Sequence, residues 1–220
     1  MSSITVNAMT FTDYGEKYEE VIMILNHIWG LYAHPKEEWH TIEKRHESLT
    51  YSLTHILVVA LIPAICGYYA AAHIGWSIGA NDPIKLTQES AAIMAVGMYG
   101  ALIAGVFALA YLIHWMAKTF DASPDFTQSL ELAAYTATPL LMVGVVALYP
   151  VLWFVTCAGM LAVCYSVYLL YSGVPIMMNI PEEKGFIYSS SVVTCGLVLL
   201  VGIMASTVIL WSLGFGPIFT

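Results

Sequence analysis

The stretch that decides the fold runs from Leu132 to Pro181 and reads LAAYTATPLLMVGVVALYPVLWFVTCAGMLAVCYSVYLLYSGVPIMMNIP, without a single Asp, Glu, Lys or Arg. As one helix it would be about 75 Å long at 1.5 Å per residue. The hydrocarbon core of a bilayer is only about 30 Å thick, so the stretch contains two crossings. The break falls at Tyr149-Pro150, because proline lacks the N–H that a helix interior needs. A tight helical hairpin is therefore expected here.

Three more charge-free stretches occur, at residues 48–81, 90–117 and 185–220, and each is long enough to cross a bilayer. Together the four stretches hold 148 of the 220 residues. Only 10% of the chain is charged, against about 25% in soluble domains, and the mean hydropathy is +0.76. The sequence thus predicts an all-α, polytopic membrane protein with a five-helix transmembrane domain at 50–213. Its spans are expected at roughly 50–75, 90–116, 130–148, 151–173 and 190–213.

The first 49 residues are predicted to form a cytoplasmic tail with interfacial amphipathic helices. The apolar run from Val21 is too short to span and follows acidic residues, which is not the pattern of a signal peptide. Pro35, followed by Glu37 and Glu38 and later by Lys44 and Arg45, has the charge order that favours a helix. We expect these helices to lie along the membrane surface.

Basic residues in the loops predict the orientation, since they are retained on the cytoplasmic side. With the N-terminus inside, six of the seven lie in the cytoplasm and only Lys85 lies outside. The C-terminal tail, residues 214–220, is then outside. The six cytoplasmic residues are Lys17, Lys36, Lys44, Arg45, Lys118 and Lys184.

Composition and motifs exclude several functions. A net charge of −8 with scattered basic residues provides no surface for nucleic acid. Phosphate-binding loops, nucleophile–base pairs and cysteine zinc spacings are absent from the sequence. No cofactor and no enzymatic activity are predicted, and the expected partners are membrane lipids, further copies of the chain and other membrane proteins.

Ionisable residues at membrane depth are costly and tend to be functional. His55, His114 and Glu131 fall near the cytoplasmic ends of their predicted spans and are candidates for a site that binds a cation or relays protons. The alternative is that each side chain reaches the headgroup region and contacts water.

A second candidate site lies in the tail, where His34, His40, Glu43 and His46 have spacings compatible with a weak divalent metal site. Glu43-x-x-His46 resembles half of a di-iron helix pair, and a complete site of that kind would need a second such motif on another helix. A charged helix beside a membrane also produces these spacings by chance.

Small residues mark the helix faces that can pack closely in lipid. The second span has two adjacent rows of them, Gly97/Ala101/Gly105 and Gly100/Ala104/Ala108, which predicts that it lies at the centre of the bundle. Such faces also favour homo-oligomers. Pro63 and Pro139, inside the first and third spans, are interpreted as tolerated kinks, because the sequence shows no repeated halves of the transporter kind.

Several of these segments resemble the Ypt/Rab-interacting (YIPF-type) family of multi-pass membrane proteins, in its bacterial branch. The resemblance covers about residues 28–213. It is carried by His34 to Trp39, Asp125-Phe126, Tyr135 and Pro139 within AYTATP, Tyr149-Pro150, the run YSVYLLYSGVP with Gly173 and Pro175, Met177-Met178, Pro181-Glu182-Glu183-Lys184, and Tyr188.

The resemblance implies five spans with the N-terminus in the cytoplasm, in agreement with the loop charges. It also implies a location in a bacterial inner membrane. Eukaryotic members bind prenylated Rab-type GTPases and assemble with each other. The Asp-Leu-Tyr-Gly-Pro motif of those members is absent before the first span, so Rab binding is not carried over. The family supplies no catalytic residues.

Two hypotheses follow. The first is a non-enzymatic integral membrane protein that organises membrane or partner proteins through its amphipathic tail and the loop from Gly173 to Ser189. The second is a small cation or proton channel or transporter that uses His55, His114 and Glu131.

Overall fold

The computed structural model describes residues 27–45, 48–77 and 83–220. Within this part of the chain, five helical segments are long and apolar enough to cross a membrane, and extended residues form only isolated bridges. The predicted all-α, five-span fold class is confirmed. The spans are Leu49–Ile74, Gln88–Phe120, Phe126–Leu148, Leu152–Met177 and Glu182–Gly214.

Six α-helices build this architecture, and residues 27–33 are also helical. Short 3₁₀ or π turns extend four of the spans, at Ala70–Ile74, Lys118–Phe120, Val143–Leu148 and Trp211–Phe215. The helices are α1 (Pro35–Arg45), α2 (Leu49–Tyr69), α3 (Gln88–Ala117), α4 (Phe126–Met142), α5 (Leu152–Met177) and α6 (Glu182–Leu210).

Local signals in the sequence explain where the helices begin and end. Ser48 and Thr87 accept backbone N–H bonds at the starts of α2 and α3, and Asp125 forms a capping box with Gln128 at the start of α4. Asp121 and Asn179 adopt left-handed backbone conformations just after the second and fourth spans, as residues that end helices often do. The helices at this end of the bundle are therefore joined by short, well-defined turns.

Helix α4 forms the centre of the bundle. Of the 18 most apolar consecutive residues of the third span, 56% are buried, whereas in the second span, which contains α3, only 6% of the corresponding residues are buried. The sequence-based prediction that the second span is central is wrong. A Cβ atom at Gly97, Gly100 or Gly105 would meet nothing within 4 Å, so these small residues leave an open face on the single chain.

The first and third spans make a close contact near their proline kinks. A Cβ at Gly144, just after α4, would lie 2.6 Å from the Cα of Pro63 in α2. Only glycine allows the 3₁₀ turn Val143–Leu148 to approach the Pro63 ring this closely. The contact fixes α2 against α4 and so positions the polar side chains that lie nearer the other end of both helices.

The loops expected outside the cell meet at one end of the bundle. Trp76 bridges Ile84 in the first of them, and Ser77 bridges Val151 in the α4–α5 hairpin. The C-terminal residues complete this end, since the Thr87 N–H donates to the Ile218 carbonyl at 3.0 Å and the Thr220 N–H donates to Lys85 at 3.0 Å. The opposite end holds α1 and the turns around Asp121 and Asn179.

Candidate functional site

Helix α1 is docked into the end of the bundle. The helix is amphipathic, with acidic residues in its first turn and basic residues in its last. Trp39 and Ile42 on its apolar face are both 0% exposed. A Cβ at Gly173 of α5 would lie 2.7 Å from the Trp39 ring and 2.9 Å from Leu132 of α4. The helix is thus inserted between α4 and α5 through its indole, a closer association than the surface position expected from the sequence.

Residues 27–33, which precede α1, also pack against the spans. The Tyr165 hydroxyl, halfway along α5, donates to the Leu31 carbonyl at 2.8 Å, and the Tyr32 and Tyr165 rings stack with centroids 5.2 Å apart. Leu31 is buried, whereas Trp29 is exposed. This segment therefore reaches the membrane-spanning part of the bundle.

A buried polar cluster lies beneath α1, and we define it as His27, Glu38, His55, Glu131, Tyr135 and Thr138. Tyr135 of α4 is its centre, with ring centroids 4.8 Å from His55, 5.8 Å from His27 and 6.3 Å from Trp39. Tyr135 and His55 are each 1% exposed. The cluster joins α1, α2 and α4 with residues 27–33.

His55 and Thr138 connect α2 to α4 within the buried polar cluster. The His55 Nε2 lies 2.9 Å from the Thr138 hydroxyl oxygen, and that hydroxyl is also 2.9 Å from the Ala134 carbonyl oxygen. The His55 Nδ1 is buried and makes no hydrogen bond to a described residue. Glu131, one turn before Tyr135 on the same face of α4, is 1% exposed. Such groups stay buried only where polar neighbours compensate for lost water.

A contact between His27 and Glu38 closes the cluster from the N-terminal side. His27 Nδ1 contacts the Glu38 carboxylate, which joins residues 27–33 to α1 across eleven positions. The Glu38 carboxylate also packs over Gly30, where a side chain would collide with it. The pair therefore holds the two N-terminal segments together above Tyr135.

A pocket of about 640 Å³ lies on the other side of α1, between it, the end of α5 and the start of α6. His40 and Glu43 of α1 line it together with Pro175 and Glu182. Beside it, Gly185 of α6 packs on Pro175, since a Cβ there would lie 2.6 Å from the proline Cγ. Pro175 and Glu182, two of the residues that carried the family resemblance, thus lie beside α1.

Comparison with known proteins decides the family. The family model described as "Yip1 domain" matches residues 29–203. The chain belongs to the Yip1 family. It is also 38% identical over 192 residues to "Inner membrane protein YohC" of Escherichia coli strain K12, a match that covers 87% of this chain and 98% of that protein. The same values hold for the protein of that name from Escherichia coli O6:H1, and no solved structure matches the chain.

The Yip1-family motif residues have clear positions. Tyr135 and Pro139 lie on buried α4, and Gly173 admits Trp39. Pro181 precedes the first turn of α6, which contains Glu182 and Glu183, and Lys184 binds Asp121 at 2.6 Å. Of these residues, Gly173 and Lys184 contact other segments at the end of the bundle that holds α1.

The predicted cation-binding residues are only partly brought together. His55 and Glu131 belong to the buried polar cluster, whereas the His114 ring contacts Phe126, with centroids 5.9 Å apart. Among residues 27–45, 48–77 and 83–220, no three His, Cys, Asp or Glu side chains lie close enough together to hold a metal ion. The proposed set of three stays a prediction.

The tail metal site has members in different environments. His40 and Glu43 line the pocket, and His34 is exposed before α1. His46 lies outside the described residues, so the four-residue site also stays a prediction.

Sequence reasoning missed His27 and Glu38 as parts of this site, and it named Tyr135 only as a residue of the family resemblance. The available signal was a histidine and a carboxylate on either side of the short apolar segment 28–33. Their partners are far away in sequence, so spacing alone could not reveal the cluster.

The Asp121–Lys184 pair gives a prediction about pH. The Lys184 ammonium hydrogen-bonds the exposed Asp121 carboxylate and lowers its pKa from the usual 3.8. Because the folded-state pKa is lowered, the stabilisation is present above the usual value and is lost as pH falls through the lowered one. We expect Asp121→Asn to unfold at a slightly lower temperature than wild type at neutral pH and at the same temperature at pH about 2.

Thermal unfolding in detergent measures this difference, and asparagine tolerates the left-handed backbone at position 121. Glu183→Gln, beside Lys184, is the control for removal of one negative charge. A difference between Asp121→Asn and wild type that persisted unchanged in acid would contradict the linkage.

Proposed function

We propose that this Yip1-family protein is a non-enzymatic organiser of membrane proteins that acts by helix association within an inner membrane. Its last span carries the proposal. Of the 18 most apolar consecutive residues in the span Glu182–Gly214, only 6% are buried. A Cβ atom at Gly196 or Gly202 would meet nothing within 4 Å. In lipid, helices associate through small residues that allow close approach.

The contacts of α6 with its own chain are concentrated near its start. Gly185, Tyr188, Ser189 and Val192 are buried, and the Tyr188 hydroxyl donates to the Ile113 carbonyl of α3. Beyond them, side chains such as Val201 are exposed. The second half of α6 is therefore available to a helix from another molecule, with a second copy of the chain as the first partner to test.

Cysteine crosslinking tests the proposal in native membrane vesicles. In a chain with its four cysteines replaced, Gly202→Cys is expected to form oxidised dimers, or adducts with another membrane protein, at least about fivefold faster than Val201→Cys, since disulfide formation needs close Cα atoms. Val201 is the matched control because it is the adjacent residue and is 64% exposed. Equal rates at the two positions would mean random collision and would reject association through this face.

We place the N-terminus in the cytoplasm and residues 214–220 outside, on the ratio of basic residues in the loops. A membrane-impermeant thiol reagent added to intact cells should label Lys85→Cys in the same cysteine-replaced chain and leave Lys118→Cys and Lys184→Cys unlabelled. Labelling of Lys118→Cys from outside would reverse the orientation.

A second function, cation or proton transport, is favoured by one observation. His55 and Glu131 are both 1% exposed inside spans, where ionisable groups are expensive. Purified protein in liposomes should then carry a proton or cation flux that Glu131→Gln abolishes without loss of folding. Liposomes without flux would reject transport and leave the organising function in place.

A further inference from the structure

The pocket beside α1 has walls of two different kinds. Lys36, His40 and Glu43 provide a polar wall on α1, and Glu182 adds a carboxylate from the start of α6. Tyr168 and Phe186, which belong to spans α5 and α6 and are 46% and 61% exposed, provide an apolar wall. The pocket volume is about 640 Å³, large enough for a headgroup with the adjoining glycerol, since small-molecule sites occupy roughly 300–1,000 Å³.

The position of the pocket selects an amphipathic ligand. It lies where α5 ends at Met177 and α6 begins at Glu182. In a membrane that these spans cross, we expect α1 at the level of the headgroups and the exposed rings of Tyr168 and Phe186 toward the acyl chains. A water-soluble ligand would leave the apolar wall uncovered. A lipid covers both walls at once, because its headgroup and its chains meet at this depth.

The charges of the pocket select the headgroup. With neutral histidine, the lining carries one cation, Lys36, and two carboxylates, Glu43 and Glu182. An anionic headgroup would meet an excess of negative charge. A headgroup that carries both a phosphate and an ammonium can pair with both signs, and a primary ammonium can also donate hydrogen bonds to a carboxylate, which a quaternary one cannot.

We propose that this pocket binds a phospholipid with a phosphate and a primary ammonium, of the phosphatidylethanolamine class. Lys36 attracts the phosphate, and Glu43 receives the ammonium. Binding at this place joins α1 to the ends of α5 and α6. The site is independent of the helix association proposed above.

Lipid titration of the full, delipidated chain in detergent, measured by native mass spectrometry, tests the site. The probes are phosphatidylethanolamine, phosphatidylcholine and phosphatidylglycerol with identical acyl chains. We expect phosphatidylethanolamine to bind about tenfold more tightly than the other two, since charged hydrogen bonds are the strong ones. Equal affinity for the three lipids would overturn the proposal, as would equally effective competition by water-soluble glycerophosphoethanolamine.

Two pairs of variants locate the headgroup. Glu43→Gln should remove the preference for phosphatidylethanolamine, and its control is Glu37→Gln, which is exposed on α1 and does not line the pocket. Lys36→Met should weaken the binding of all three lipids, and its control is Lys44→Met, at an exposed position of α1. Both controls should bind as wild type does. Loss of the preference in Glu37→Gln to the same extent as in Glu43→Gln would overturn the assignment.

Discussion

Replacing Gly173 by leucine is expected to release α1 from the bundle. The Trp39 ring lies 2.7 Å from the place that a Cβ would occupy, and Leu132 lies 2.9 Å from it. Neither neighbour can move away, since both are fully buried. Overpacking of this kind costs about 1–3 kcal/mol, which raises the undocked population of α1 roughly 5- to 150-fold at about 1.4 kcal/mol per factor of ten.

Hydrogen exchange of the amides of α1 measures the release, because undocking exposes them to solvent. Gly159→Leu is the matched control: it makes the same substitution in the same helix, at a position where a Cβ meets nothing within 4 Å. Faster exchange in Gly173→Leu but not in Gly159→Leu supports the docked arrangement. Identical exchange in the two variants would mean that Trp39 does not depend on Gly173.

Thr138→Val should destabilise the protein by about 1–3 kcal/mol, the usual cost of leaving a buried polar group without its hydrogen bond. The substitution preserves the shape of the side chain and removes the hydroxyl that lies 2.9 Å from His55 Nε2. The ring would then keep both nitrogens buried without a described hydrogen-bond partner, because its Nδ1 already lacks one. The loss should act on the contact between α2 and α4.

Unfolding in mild detergent by increasing denaturant measures this cost, and Thr136→Val provides the control. Thr136 lies two residues away on the same buried helix, and its hydroxyl makes no hydrogen bond to a described residue. Its replacement should be neutral or slightly stabilising. If both variants lose the same stability, the effect comes from valine in α4 and not from the bond to His55.

The five spans could be predicted because membrane helices have a strong local signal. Long charge-free stretches, together with the break at Tyr149-Pro150, are sufficient to count them, since each span must satisfy its backbone polar groups internally. The capping residues Ser48 and Thr87 are local as well. This part of the fold depends on neighbours within a few positions.

The packing of the bundle could not be predicted in the same way. The small residues of α3 have the same composition as a helix interface, yet Gly97 and Gly100 face away from the rest of the chain. The buried α4 has fewer rows of small residues than α3. Tyr135 lies at its centre, and the neighbours of that ring, His27 and His55, are distant in sequence. Which faces meet is decided by contacts between segments, and spacing within one segment does not contain them.

Helix α6 is held by contacts with its own chain near both ends. Gly185 and Tyr188 hold one end of the last span. At the other end, two backbone hydrogen bonds, from Thr87 to Ile218 and from Thr220 to Lys85, hold the residues that follow the span. The side chains of its middle turns are mostly exposed and make few contacts with the rest of the described chain. If α6 associates with another protein as proposed, lipid along those turns can be replaced by that protein while both ends stay bound, and the five-span scaffold is not disturbed.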